Sequence, residues 1–161
     1  MNDLARLIDQ FRRGGLPVAV AGPAPEAAVR ELEAAFGHEM PPSYRDFLLR
    51  FGGLVVAADP RRDIPEQHIS GVTGARIDGA VGRHFPVAPG QLRVVPRPAD
   101  VLVIETGYAP MACLDFGRRR LDGECPVARF DPATGMSLVS DPSFGVWLPV
   151  WLHGAACDRE A

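Results

Sequence analysis

"LEAAFGHEMPPSYRDFLLRFGG", residues 32–53, is the stretch that decides the fold. Two apolar runs with helical spacing meet at Pro41-Pro42, and the second run ends at Gly52-Gly53. A helix cannot run through this corner, because the second proline disfavours the helical conformation of the first. The third helix of the chain then starts at Pro42 or Ser43. Its apolar face has the spacing i, i+3, i+4 and i+7, from Tyr44, Phe47, Leu48 and Phe51. The stretch therefore predicts a helix, a corner and a helix that packs aromatic side chains against a core.

Two helices are predicted upstream of the corner. The first has one apolar face, made by Leu4, Leu7, Ile8 and Phe11, and Gly14 can end it. The second begins near Pro25, which suits a first helical position, and ends at Gly37. Residues 15–24 form a connector that has room for a short extended segment.

The helical spacing of the apolar residues ends after residue 53, and strands are predicted from there on. They lie at 54–58, 92–96, 100–106, 111–116, 126–131 and 135–140. The dipeptide Asp122-Gly123 favours a tight turn, so the strands on either side of it are expected to pair as an antiparallel hairpin. Residues 59–92 have no sustained period; a strand near 68–72 and a short helix near 78–84 are expected there.

A final helix is predicted in "SDPSFGVWLPVWLHG", with Asp141 as its cap and Pro142 as its first residue. Pro149 interrupts its apolar stripe. A proline inside a helix removes one hydrogen bond and costs roughly 3 kcal/mol, so a kink or an early break near Leu148 is expected. The residues from 155 to the C-terminus are expected to be a frayed tail.

Composition limits the class of protein. A chain of 161 residues with 47% hydrophobic and 23% charged residues is typical of one soluble globular domain. The net charge of −3 argues against general nucleic-acid binding. An apolar run of about 18 residues is absent from the sequence, and the first apolar stripe contains charges, so neither a membrane span nor a secretory signal is expected. The three cysteines, far apart, suit a reducing compartment, and the protein is predicted to be cytoplasmic.

These patterns predict an α+β protein. N-terminal helices and a C-terminal helix pack on a mainly antiparallel, twisted sheet of about four to six strands. The whole chain, 1–161, is taken as one domain, with an N-terminal helix and connector at 1–21 and a tail at 154–161.

The order of these elements resembles the SUKH superfamily. The resemblance covers residues 22–153, and "MPPSYRDFLLRFGG" corresponds to its pattern of proline, Ser-Tyr-Arg, Phe-Leu and Gly-Gly. The residues that carry it are Glu33, Gly37, Pro41, Ser43, Tyr44, Phe47, Leu48, Gly52, Gly53, Ile104, Leu114, Asp115, Gly123, Val127, Asp131, Ser143 and Phe144. Met40 departs from the leucine usual in the family, and Pro149 interrupts the last helix. The superfamily includes fungal cell-wall-assembly regulators and bacterial immunity proteins of toxin systems.

The sequence contains no enzyme signature. The four histidines do not pair at helical spacing, and Cys113, Cys125 and Cys157 form no Cys-x-x-Cys pair, so no metal or cofactor is expected. A triad of His68 or His84 with Cys113 or Ser143 has no support from spacing. The strand carboxylates Glu105, Asp115 and Asp131 are expected to be solvated.

The resemblance implies a non-catalytic protein that binds another protein. The leading hypothesis is an immunity protein that covers the active site of a cognate toxin, of nuclease or deaminase type, encoded nearby. Acidic residues that could meet a basic substrate groove are Asp59, Asp63, Glu66, Asp122 and Glu124. The turn at 118–124 also contains Arg118, Arg119 and Arg120, and arginine is enriched at interface hot spots. This turn and the segment 59–90 are predicted to form one partner surface. The alternatives are a regulatory scaffold of the cell-wall-assembly type and, more remotely, a small thiol or hydroxyl hydrolase.

Overall fold

A computed structural model of the chain describes residues 2–15, 17–60, 66–69, 100–106, 111–131 and 136–160. These residues form four α-helices: α1 (Asn2–Arg13), α2 (Glu26–Phe36), α3 (Pro42–Phe51) and α4 (Phe144–Glu160). They also form seven strands: β1 (Val18–Val20), β2 (Leu54–Val56), β3 (Gln67–Ile69), β4 (Val101–Thr106), β5 (Met111–Asp115), β6 (Val127–Asp131) and β7 (Met136–Asp141). The predicted α+β class is confirmed. The sheet exceeds the expected size because the short segments β1 and β3 both join it.

The strands form one antiparallel sheet in the order of the chain, from β1 to β7. The predicted hairpin is present, since Cys113 of β5 lies opposite Ala128 of β6 and Leu114 lies opposite Val127. The longest described strands, β4 to β7, form one half of the sheet, while β1 to β3 have three residues each. This arrangement places the connection between β5 and β6 at one end of the sheet.

One face of the sheet packs against the helices. Phe47 and Leu48 of α3 and Phe144 of α4 are buried in one cluster with strand residues such as Leu102 and Leu114. The opposite face is buried at its centre as well, where Val101, Cys113 and Ala128 form a second, smaller cluster. The central strands are therefore enclosed on both faces.

The proline corner has the predicted form. Pro41 is extended (φ −57°, ψ 143°) and precedes α3, and Pro42 is the first helical residue, where a missing N–H costs nothing. The corner is fixed by Glu33 of α2, whose Oε1 accepts the backbone N–H of Met40 at 3.0 Å. Met40, which replaces the usual leucine, is fully buried.

Gly52 explains why the stretch ends in glycine. It has a left-handed backbone (φ +68°), and its N–H donates to the carbonyl of Leu48 at the end of α3. A Cβ atom at this position would overlap the carbonyl oxygen of Gly22. The backbones of 21–22 and 51–53 are joined there by hydrogen bonds from Ala21 to Gly53 and from Gly22 to Phe51.

Two details of helix starts differ from prediction. Pro25 lies just before α2 in an extended conformation and is not its first helical residue. Helix α4 begins at Phe144, two residues later than expected, because Ser143 caps it: its Oγ accepts the N–H of Val146 at 3.4 Å. The predicted cap Asp141 instead ends β7.

Of the two alternatives predicted at Pro149, the early break near Leu148 was wrong, and the kink stays a prediction. Helix α4 runs from Phe144 to Glu160, and the expected tail is helical as far as residue 160. Trp147 and Leu148 before the proline and Leu152 and Ala155 after it are all buried. Burial on both sides of Pro149 offsets the single hydrogen bond that the proline removes.

The prediction that the strand carboxylates are solvated was wrong for Glu105 and Asp115, which are 1% and 7% exposed. A bulge in β4 between Val103 and Glu105 aligns Glu105 with Ile69 and Ala112, both of which belong to the helix-facing cluster. Asp131 ends β6. The strand predicted at 92–96 and the helix predicted at 78–84 lie outside the described residues.

Candidate partner surface

The turn between β5 and β6 is held by its own backbone. We call residues 118–124 the arginine turn. Within it the N–H of Arg120 donates to the carbonyl of Glu124 (2.8 Å), and the N–H of Gly123 donates to the carbonyl of Arg120 (3.0 Å). Asp122 Oδ1 accepts the N–H of Glu124 at 3.1 Å, the local bond that makes aspartate common in turns. Gly123 supplies the left-handed residue that the turn needs (φ +81°).

Two side chains fasten the arginine turn to the helices. Arg119 Nε donates to the carbonyl of Gly123 (3.1 Å), and its Nη1 donates to the carbonyl of Glu39 (3.1 Å) in the proline corner. Glu124 accepts both the N–H of Ser43 (2.9 Å) and its hydroxyl (2.7 Å) at the first turn of α3. A carboxylate at a helix N-terminus is favourable, because the orphan N–H groups there carry partial positive charge.

Ser43 also joins α3 to the last helix. Its Oγ accepts the backbone N–H of Gly145 at 3.2 Å while its own proton goes to Glu124. One serine therefore links the arginine turn, α3 and α4. Nothing in the sequence indicated the contact between Ser43 and Glu124, which are 81 positions apart.

An aromatic contact fixes the base of the turn. A short 3₁₀ turn, Phe116–Arg118, follows β5, and Phe116 is buried. Its ring lies 4.9 Å from that of Phe36, at the end of α2, and 5.0 Å from that of His38, measured between centroids. These contacts and the hydrogen bonds of the turn place 118–124 firmly beside the proline corner.

The remaining charges of the turn are paired. Arg118 lies 3.5 Å from Asp115, and Arg120 lies 2.9 Å from Asp122. Both arginines are at least half exposed, so their guanidinium groups can contact a partner's carboxylates. The pair of Arg120 with Asp122 is exposed on both sides and contributes little to stability, whereas the pair of Arg118 includes the buried Asp115. The three arginines are balanced by Asp122 and Glu124 of the turn and by Asp115 beside it, so the arginine turn is not a basic patch.

Leu121 is the one apolar side chain of the turn, and it is fully exposed. It lies between the paired Arg120 and Asp122, on a backbone that the bonds described above hold in one conformation. A fixed, exposed leucine surrounded by exchangeable charges has the character of an interface anchor.

A polar groove of about 600 Å³ lies beside the turn, between α2 and α3. Arg119 lines one side of it, and Arg45 bridges Glu26 and Glu33 within it. The hydrogen bond from Arg45 holds the pKa of the exposed Glu26 carboxyl below its usual range. The groove is therefore lined by charges of both signs, of which Arg30, Arg45, Glu26 and Glu33 are paired with one another.

The acidic residues of the predicted surface are not all brought together. Asp59 and Glu66 lie on the connection between β2 and β3, at the Gln67 end of β3. In register this is the Thr106 end of β4, whereas the arginine turn leaves the sheet beside Asp115, opposite Val101. The two groups are therefore at opposite ends of the sheet, with only Asp122 and Glu124 in the turn itself. Asp63 lies outside the described residues.

The two buried thiols, Cys113 and Cys125, are poor nucleophiles in the described structure. Cys113 is fully buried, and burial raises the pKa of its thiol to about 12. Burial likewise raises the pKa of the Cys125 thiol to about 11. Ser143, a candidate hydroxyl, caps α4, and His84 is outside the described residues. Within the described ranges no group of three or more histidine, cysteine or acidic side chains could hold a metal ion.

The helices of the described residues are too short or too polar to cross a membrane. No curated protein matches the chain. The model of the SMI1 / KNR4 family (SUKH-1) matches residues 23–149, which is most of the chain and close to the range 22–153 of the resemblance. The match includes the proline corner, strands β2 to β7 and the arginine turn. The chain therefore belongs to the SMI1 / KNR4 (SUKH-1) family.

Proposed function

We propose that this protein is a non-catalytic binding module, an immunity protein that neutralises a cognate bacterial toxin by covering its active site. Family membership supports a module of this class. The observation that carries the proposal is the arginine turn, where a fully exposed leucine is held on a rigid backbone beside exchangeable ion pairs. We place the protein in the cytoplasm and the gene for its partner next to its own.

Rigidity of the turn favours tight binding. A flexible loop loses conformational freedom when it binds, at a cost of about 0.5–1.5 kcal/mol for each immobilised side chain. The backbone of 120–124 and the side chains of Arg119 and Glu124 have already lost that freedom in folding, through the bonds within the turn and to Glu39 and Ser43. The favourable contacts of Leu121 and of the guanidinium groups of Arg118 and Arg120 are then offset less by the cost of ordering the loop, and the partner binds more tightly.

The acidic residues have a separate role in the proposal. The net charge of −3 and the carboxylates at the β2–β3 end of the sheet attract a basic substrate groove at long range. A toxin of nuclease or deaminase type has such a groove. The acidic residues Asp59, Asp63 and Glu66 then increase the rate of encounter, while the arginine turn provides the contact that determines the rate of dissociation.

A regulatory scaffold is the second candidate, because the superfamily that the sequence resembles also includes fungal cell-wall-assembly regulators. A gene that stands alone favours this role. The remote hydrolase alternative has little support, since a thiol with a pKa near 12 is protonated at neutral pH and only the thiolate is a nucleophile. A hydrolase activity of the parent that is lost in Cys113→Ser would support this alternative.

The proposal is tested by expressing the chain with the product of the neighbouring gene. We expect the two proteins to co-purify and the chain to protect cells that produce its partner. If no product of a neighbouring gene binds the chain, the proposed immunity function is wrong and the regulatory one is favoured.

The surface is tested separately by substitutions that leave the turn intact. Arg119 holds the turn in place, so replacing all three arginines would change both the contact and the fold. Replacing only Arg118 and Arg120 by Ala preserves the backbone bonds. We expect this double variant to fold, with a loss of thermal stability because the buried Asp115 loses its ion pair, and to bind the partner at least about tenfold more weakly, or about 1.4 kcal/mol. Equal binding by the double variant and the parent would exclude these two arginines from the interface.

A further inference from the structure

β7 is the outer strand of the sheet in the part of the chain that the structure describes. Its residues Leu138 and Val139 are 77% and 40% exposed. In register, Leu138 lies opposite Arg129 and Val139 lies opposite Ala128 of β6. Successive residues of a strand point to opposite faces, so this edge exposes apolar side chains on both faces of the sheet.

The sequence of β7, "MSLVSD", lacks the usual protection of an edge. Outer strands are normally made unattractive for pairing by lysine or arginine, by proline or by being very short. β7 has six residues with neither a basic residue nor a proline. The other outer strand, β1, has only three residues, and its Val18 is buried. The bulge in β7 is confined to its Asp141 end, where Val127 lies opposite Asp141 and Ala128 opposite Val139.

We infer that β7 pairs with β7 of a second copy of this chain, antiparallel, across a two-fold axis that passes beside Leu138. Antiparallel pairing within one sheet keeps residues of one face together, so Leu138 lies opposite the same residue of the second copy and Ser137 lies opposite Val139. The dimer joins the two sheets into one and covers the exposed side chain of Leu138.

Charge favours a second copy as the occupant of this edge. Asp141 is the single charged residue of β7 and lies at its end. In the inferred register the two Asp141 residues are six positions apart along the paired strands, or about 20 Å at 3.4 Å per residue. That separation exceeds the Debye length of about 8 Å at physiological salt, so the like charges do not oppose pairing. The residues between them, 136–140, are uncharged and can pair with themselves about Leu138.

Sedimentation equilibrium of the purified chain over a wide range of concentration tests this inference. We expect a species of twice the 17.3 kDa chain mass. Leu138→Lys introduces the charge that protects natural edges and should weaken the dimer at least tenfold. Leu121→Lys is the matched control, since it makes the same change at an exposed leucine of the arginine turn, and it should leave the dimer unchanged.

A cysteine cross-link tests the register. In a Cys157→Ser background, which removes the exposed native thiol, Leu138→Cys should form an intermolecular disulfide under mild oxidation, because opposed residues of antiparallel strands have suitable Cα separations. Leu121→Cys in the same background should not. A parent that is monomeric throughout, a Leu138→Lys variant that still dimerises, or a dimer without the cross-link would overturn the inference. The inference would also be overturned if the parent is monomeric and Leu138→Lys weakens binding of the partner protein, because β7 would then be part of the partner surface.

Discussion

Single glycines determine the geometry at the end of α3. Gly37 and Gly52 both end helices with left-handed backbones, at φ +83° and +68°. A Cβ at Gly37 would meet nothing within contact distance, whereas one at Gly52 would overlap the carbonyl oxygen of Gly22. The sequence predicted both helix ends, but it could not indicate that only Gly52 lies against another segment of backbone.

The two glycines therefore form a matched pair of substitutions. Gly37→Ala should cost about 1–2 kcal/mol of stability, from backbone strain alone. Gly52→Ala adds a clash that cannot be relieved by a side-chain rotation, and it should cost about 2–5 kcal/mol in total. Urea unfolding of both variants measures the difference. Equal losses at the two positions would show that the close approach to Gly22 does not matter.

Glu105 makes stability depend on pH. It is buried, and in the described part of the chain its Oε2 has no hydrogen-bond partner. Burial raises the pKa of this carboxyl, while the N–H of Ala112 and the charge of Arg129 act in the opposite direction. The folded state then holds its proton to a higher pH than the unfolded state, so stability decreases as pH rises from the ordinary value of 4.5 through the raised one.

Glu105→Gln, which has the same shape and no charge, should remove this dependence. The difference in unfolding free energy between variant and parent should grow in favour of the variant above pH 4.5, by about 1.4 kcal/mol for each unit by which the pKa is raised. Urea unfolding at a series of pH values measures it, with the other titrating groups common to both proteins. Parallel pH profiles would contradict the raised pKa.

At the scale of elements, α3 is the centre of the core. Phe47 is 1% exposed, and its ring lies 5.0 Å from that of Phe144 and 5.8 Å from that of Phe51, measured between centroids. Helix α3 was predictable because its apolar period, its prolines and its glycines all agree. The continuation of α4 past Pro149 could not be predicted, because it depends on the burial of residues on both sides of the proline, which the local sequence does not reveal.

Phe47→Ala should therefore destabilise the fold by about 3–5 kcal/mol, through lost burial and a cavity. Val146→Ala, on the exposed side of α4, is the control and should change stability by less than about 0.5 kcal/mol. Thermal and urea unfolding measure both. A loss below about 1 kcal/mol for Phe47→Ala would show that α3 does not face the core.

At the scale of the whole molecule, the sequence predicted the charged turn but not its attachment. Charge and the dipeptide Asp122-Gly123 identify the turn, whereas the contacts of Arg119 with Glu39 and of Glu124 with Ser43 connect distant segments and are visible only in the fold. The same fold separates the turn from Asp59 and Glu66, because antiparallel register places successive connections at alternate ends of the sheet.

The most direct test of a binding function at the arginine turn is calorimetric titration of the neighbouring gene product with the parent and with Leu121→Asp. The substitution changes an exposed side chain and none of the hydrogen bonds that hold the turn, so the fold should be unaffected. We expect the parent to bind and the variant to bind at least about a hundredfold more weakly, or about 2.7 kcal/mol. Leu138→Asp, the same change at the exposed edge of β7, should bind this partner like the parent. Equal affinities for Leu121→Asp and the parent would show that the partner binds elsewhere.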